Sequence, residues 1–151
     1  MMHPTLQVRE EIYIHAACAA IWSRFTRVSD WPSWRTDSSH ATWQQGQTWQ
    51  EGAQFTLQER GTASPVTYII RMVVGGDTTV WESSPVGNQS DPGVVYSIHL
   101  VEQVGGCKVS LHATFHGWGS LLKRLASSRE KAKLHTILAD LKAVMERGGG
   151  R

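Results

Sequence analysis

From Val94 to His116 the chain alternates apolar and polar side chains on either side of Gly105-Gly106. A period of two is that of a strand, and a glycine pair between two such runs predicts a two-residue hairpin turn with positive φ at both glycines. That turn sets Val104 opposite Cys107, Tyr96 opposite Phe115, Ile98 opposite Ala113 and Leu100 opposite Leu111 on an apolar face. Ser97 then meets Thr114, and His99 meets His112, on a polar one. A slip of one residue would exchange the two faces of one strand, so the agreement along the whole hairpin argues for a sheet with one wet side.

The same reading extends to both ends of the chain. Val8, Ile12 and Ile14 alternate with polar residues and predict a strand over Gln7 to Ile14, with Glu10 interrupting the inward row. Ala16 to Thr26 is alanine-rich, with Ile21, Trp22 and Phe25 at helical spacing, and Pro32 turns the chain before a second short helical piece. Four short strands follow at Ser39 to Gln44, Ala53 to Glu59, Val66 to Val74 and Thr78 to Ser83, separated by Gln45-Gly46, Gly61, Gly75-Gly76-Asp77 and Pro85. Ser120 to about Arg147 has neither Pro nor internal Gly and predicts a long helix ending at Gly148-Gly149-Gly150. It carries two apolar stripes, Leu121, Leu122, Leu125 and Ala126, then Leu134, Ile137, Leu138, Leu141, Val144 and Met145. These are offset by roughly 150° around the axis. Between them Ser127 to Lys133 is almost wholly polar. Either the helix kinks there or its polar middle spans a cavity.

One strand, a helical connection, six strands and a long helix, with no strand–helix alternation, predict an α+β fold with an antiparallel sheet of about seven strands. The 151 residues make one domain, with a core over about 6–146 and a loose tail at 148–151. A chain of this length buries enough surface to need no metal or disulfide. Cys18 and Cys107 lack ligand-like spacing and are expected as free, buried thiols in a reducing cytoplasm. No window reaches the roughly 18 apolar residues of a membrane span, and the first nine residues do not read as a secretion signal. Net charge is +2, distributed as +4 over residues 120–147 and −2 elsewhere. That is too little to imply nucleic acid, and the basic helix reads as a solvated face. Oligomeric state is left open.

Five of the seven tryptophans (Trp22, Trp31, Trp34, Trp43, Trp49) precede residue 50, which suggests the mouth of an apolar pocket. They fall around Ile14-His15-Ala16-Ala17-Cys18-Ala19-Ala20-Ile21-Trp22 and Asp30-Trp31-Pro32-Ser33-Trp34. This pattern resembles the opening of the START/Bet v 1-like superfamily, the polyketide cyclase and lipid transport group: strand, I-x-A-x-x-x-x-V-W, helix, D-x-x-x-W-P-x-W. Gln50-Glu51-Gly52-Ala53-Gln54-Phe55 is similar to its x-x-G-x-x-F strand start, and Gly105-Gly106-Cys107-Lys108-Val109 to its G-G-T-x-V hairpin, with Cys107 in place of threonine. The resemblance implies a helix-grip fold, in which the sheet curves around the C-terminal helix and encloses a cavity for hydrophobic ligands.

The residues expected at such a site are Trp31, Trp34, Phe55, Tyr68, Trp81, Tyr96, Ile98 and Phe115, with Leu57, Met72 and Leu111 on the same inward rows. Each large aromatic is worth roughly 4 to 6 kcal/mol when buried. An empty cavity of roughly 300 Å3 would cost about 7 kcal/mol, so the rings either line a pocket that holds water or ligand, or fill the interior themselves. No nucleophile, zinc, nucleotide or redox motif is present. A His99/His112 pair offers only two imidazoles, so neither metal nor cofactor is expected. For acid–base chemistry the candidates are Glu10 and Glu59, both of inward parity. The favoured function is binding or carriage of a lipid, polyketide or quinone-like molecule without catalysis. The alternatives are a polyketide cyclase/aromatase using an inward carboxylate, and a protein-docking module using exposed tryptophans and the basic helix.

Overall fold

The computed structural model describes residues 6–61, 64–83, 93–116 and 120–149. In chain order these form β1 (Leu6–Ile14), α1 (Cys18–Phe25), a 3-10 turn (Val28–Asp30), α2 (Trp31–Trp34), β2 (Ser38–Gln45), β3 (Gln54–Glu59), β4 (Val66–Val74), β5 (Thr78–Ser83), β6 (Gly93–Gln103), β7 (Gly106–His116) and α3 (Ser120–Gly149). One seven-stranded antiparallel sheet runs β1-β7-β6-β5-β4-β3-β2, and α3 lies against its β1–β7 side. This is the helix-grip arrangement that the element order predicts. Pro32 sits in the first turn of α2, where a missing backbone N–H costs nothing.

The inner face follows the expected parity. Phe55, Leu57, Tyr68, Ile70, Trp81, Tyr96, Ile98, Leu100, Val109, Leu111, Ala113 and Phe115 are all buried, and Leu134, Ile137, Leu138 and Leu141 meet them from α3. Met72 departs from its row and is 39% exposed. A bulge between Ile70 and Met72 adds a residue to β4, so Val73 takes the inward place instead. Helix α3 is continuous through its polar middle. The side chains of its first apolar stripe, Leu121 to Ala126, lie outside the described residues.

The hairpin keeps its faces but not its partners. Tyr96 pairs with Ala113, Ile98 with Leu111 and Leu100 with Val109, two residues away from the register expected of a Gly105-Gly106 turn. The turn is at Val104-Gly105, and of the two glycines only Gly105 has positive φ. Gly106 is instead the first residue of β7, where a Cβ would strike the Ile14 carbonyl oxygen and stand 2.7 Å from the Tyr13 hydroxyl. That hydroxyl donates to the Val104 carbonyl at 2.6 Å, so the end of β1 clamps the turn. As a result His99 and His112 are not opposed. His99 faces Ser110, and His112 faces Ser97 and Arg9. Burial, and then the Arg9 charge, still hold the His112 imidazole below its ordinary value.

Cys18 and Cys107 are joined by a disulfide with Cα atoms 5.3 Å apart, not free as expected. Ile14 at the end of β1 lies opposite Cys107, and the short loop after it brings the first residue of α1 over that position. No side chain caps α1, so the bond is what ties its first residue to the sheet. Without free thiols, the argument for a reducing compartment falls away. No described helix is long and apolar enough to cross a membrane.

Leu138→Ala, which removes a side chain 3% exposed at the helix–sheet junction, is expected to cost about 2–5 kcal/mol in urea unfolding. A loss under about 0.5 kcal/mol would mean that α3 does not close the core. Reduction of Cys18–Cys107, which spans 89 residues, is expected to cost about 2–4 kcal/mol. An unchanged urea midpoint in reductant would show that the bond is absent in solution.

Candidate functional site

Between α3 and the concave face of the sheet lies a cavity lined by Phe25, Trp31, Arg35, Leu57, Tyr68, Trp81, Tyr96, Leu111, Lys133 and Ile137. Its open volume is about 20 Å3, room for one water. Of the two alternatives posed by the inward aromatics, the structure takes the filled one.

The filling is an unbroken set of ring contacts. Phe25 lies 5.4 Å from Trp31 and 5.5 Å from Trp81, and Trp49 lies 5.5 Å from both Phe55 and Trp81. Phe55 stacks on its cross-strand partner Tyr68 at 5.4 Å, as Trp81 does on Tyr96 at 5.7 Å. Two of the indoles in this set are satisfied locally. Trp31 Nε1 donates to the Phe25 carbonyl at 2.7 Å and Trp49 Nε1 to Thr79 Oγ1 at 2.8 Å. Such edge and offset contacts add to the burial of the rings themselves.

Of the expected site residues, Trp31, Tyr68, Trp81 and Tyr96 line the cavity. Phe55, Ile98 and Phe115 are buried in the surrounding core. Trp34 is also buried, but it borders a separate surface groove with Arg24, Asp140 and Arg147. Glu10 shares the face of Ile12 and Ile14 but ends beside Lys131 and His135 on the outer edge of α3, away from the cavity. Glu59 does reach the site. Phe25, Arg35, Glu130 and Lys133 were not anticipated. The polar middle of α3 signalled the last two: Glu130 and Lys133 continue the apolar row of Leu134, Ile137 and Leu141 upstream, which puts them on the helix face turned to the sheet.

These groups form one buried polar network. Lys133 Nζ donates to Glu59 Oε1 at 3.0 Å and to the Tyr96 hydroxyl at 3.1 Å, and lies 4.0 Å from Glu130. The Tyr96 hydroxyl donates to the Glu130 carboxylate, with both oxygens at 3.1 Å, and the Tyr68 hydroxyl to Glu59 at 3.4 Å. The side chains of Lys133, Glu59 and Glu130 are only 17%, 14% and 14% exposed. On the opposite wall Arg35, 4% exposed, grips Asp37 through Nε at 3.0 Å and Nη2 at 2.9 Å, with its guanidinium 4.8 Å over the Trp31 ring.

Burial works to neutralise Lys133, but Tyr96, Tyr68, Glu130 and Glu59 outweigh it and hold the amine well above its ordinary value. Burial pushes Glu130 above the usual carboxylate range, against the pull of Lys133 and the Tyr96 hydrogen bond. It also raises both tyrosines, Tyr96 strongly, so they remain hydroxyl donors. Asp37 is pushed up by burial and brought below its ordinary value by Arg35 and Lys133. Chemically, the site offers cationic and hydroxyl donors at one end of an aromatic interior. Among the described residues no group of three or more His, Cys, Asp or Glu is placed to hold a metal.

Lys133→Met takes the ammonium away from Glu59 and Glu130 and is expected to destabilise by about 3 kcal/mol at neutral pH. The sign with pH follows from Glu130, whose folded value is raised. Stability present below the ordinary glutamate value is lost as pH rises through the folded one, and more steeply without Lys133. The gap between variant and wild type in urea unfolding should therefore narrow on acidification through the carboxylate range. A pH-independent gap would mean that Lys133 contributes packing alone.

Residues 5–146 match the sequence profile of the family described as polyketide cyclase/dehydrase and lipid transport. No curated protein matches the sequence. Among solved structures, a START superfamily protein from Mycobacterium smegmatis superposes with a TM-score of 0.77 at 10% identity, over 93% of this chain and 97% of that one. Major latex-like protein 151 from Panax ginseng does so at 0.74 and 15%, over 92% and 96%. The di-domain ARO/CYC StfQ from the steffimycin biosynthetic pathway matches at 0.75 and 13%, over 97% of this chain and 53% of that one. At these identities the likeness is one of fold.

Proposed function

Because the chain belongs to the polyketide cyclase/dehydrase and lipid transport family, we propose that it binds an apolar small molecule of lipid, polyketide or quinone-like kind between the sheet and α3, as a carrier and not a catalyst. The observation behind this reading is the Lys133–Glu59–Tyr96–Glu130 network beside the aromatic cavity. A core built for stability alone gains little from burying ions, since apolar replacements of equal volume are commonly as stable or more so. Donors held at one end of an apolar interior are what a ligand with an oxygen function needs for orientation.

Small-molecule sites run to roughly 300–1,000 Å3, far above the present opening of about 20 Å3. Binding on this reading therefore displaces interior side chains, with the Trp81–Tyr96 stack facing the cavity as the first to move. Opening that precedes binding lowers apparent affinity and slows association.

A cyclase-type enzyme is the second reading, supported by the raised Glu130 carboxyl sharing a proton-bearing contact with Tyr96. The docking-module alternative keeps only the basic helix in its support, because Trp31 and Trp34 are buried.

Native mass spectrometry of freshly purified protein is expected to reveal a co-purifying apolar molecule. Adding that molecule back should raise the melting temperature by mass action and quench tryptophan fluorescence. Trp81→Ala should change that affinity by tenfold or more. Glu59→Gln and Glu130→Gln should retain binding in a carrier. In an enzyme, one of them would keep binding and lose turnover. No bound molecule, and no thermal shift across a panel of apolar compounds, would remove the pocket reading.

A further inference from the structure

Arg35 presents a donor that the protein does not use. It is 4% exposed, its Nε and Nη2 are both spent on Asp37, and among the described residues nothing accepts a hydrogen bond from Nη1. The atom is not sealed off either, because the buried side-chain polar atoms without a partner are Trp34 Nε1 and Ser38 Oγ alone among the described residues. Arg35 lines the cavity, so the guanidinium whose Nη1 remains unspent stands beside a space that holds about one water. The guanidinium cannot swing away freely, since Asp37 holds it edge-on and Trp31 backs its face.

Charge decides what this donor can take. Arg35 is balanced by Asp37 and Lys133 by Glu59, which leaves Glu130 as the surplus carboxyl, held just behind the cavity lining on the Tyr96 hydroxyl. A ligand carboxylate would add a second negative charge to a water-poor site and meet Glu130. A ligand ammonium would meet Arg35 and Lys133. An uncharged carbonyl oxygen accepts from Nη1 and adds no charge to the site. We propose that Arg35 is a specificity-determining residue, whose Nη1 donates to an uncharged carbonyl of a ring-bearing ligand and excludes the corresponding carboxylate. This deepens the carrier reading above and rests on it.

The test uses three probes of one ring system, 9-fluorenone, fluorene and fluorene-9-carboxylate, titrated by tryptophan fluorescence against the full chain. The ketone is expected to bind about tenfold or more tighter than the hydrocarbon, the worth of one hydrogen bond from a charged donor, and the carboxylate weakest of the three. Arg35→Lys keeps the charge beside Asp37 but removes the forked donor. It should bring the ketone-to-hydrocarbon ratio close to one, whereas a purely structural role would weaken both probes alike and leave that ratio where it was. Thr36→Ser, next in the chain, serves as the folded control with an unchanged ratio. Equal binding of ketone and hydrocarbon by the wild type, or preference for the carboxylate, would overturn the assignment of Arg35 while the pocket reading survives. Binding of none of the three would overturn both.

Discussion

The Lys133 ammonium holds together the parts of the molecule that packing alone does not join. A sheet curved around one helix touches it along the β1–β7 side and stands away from it opposite β3 to β5. Lys133 crosses that gap, reaching Glu59 on β3 and Tyr96 on β6 from α3, with Glu130 one turn before it and Leu134 and Ile137 after it on the same face. Its charge is stabilised only because carboxylates and hydroxyls converge on it. The ammonium in turn pulls against the burial that raises the Glu130 carboxyl. Removing any member takes a partner from several of the others at once, which is why the network constrains the interior as a unit.

Around this polar centre, the aromatic rings solve the problem of the space the curved sheet leaves. An empty volume of several hundred Å3 would consume a large part of an ordinary domain's stability. The rings of Phe25, Trp31, Trp49, Phe55, Tyr68, Trp81 and Tyr96 fill it and leave about one water's room. The α3 end opposite this region is pinned elsewhere: Asp140 accepts from the Thr36 amide and hydroxyl at 2.8 and 2.9 Å, and Lys142 donates to the Tyr13 carbonyl at 2.8 Å. Helix movement as a rigid lid is thereby disfavoured relative to side-chain displacement.

Much of the fold was legible in the chain because it rests on local periodicity. The bounds of β4 and β5 follow from apolar alternation between turn residues, and the inward rows of β3, β6 and β7 from parity. Four of the eight expected site residues line the cavity for the same reason. Parity says which face a side chain takes and is silent about depth, so Phe55, Ile98 and Phe115 ended in the core around the site. Where one residue was added, as at the β4 bulge, parity reversed and Met72 turned outward.

What the sequence by itself determined was the order of elements, the face each strand buries and the break in the apolar stripe of α3, all set by side chains within a few residues of one another. Tertiary structure decided whatever depends on two distant segments meeting. The hairpin register is set by β1, whose Tyr13 and Ile14 press so closely on Gly106 that this residue serves the approach and not the turn. The Cys18–Cys107 bond exists because the loop after β1 lays the start of α1 over β7. Arg35, Glu59, Tyr96, Glu130 and Lys133 become one site only through the curvature of the sheet. Their chemistry is unremarkable residue by residue, and it is their convergence in one partly buried place that gives them their partners.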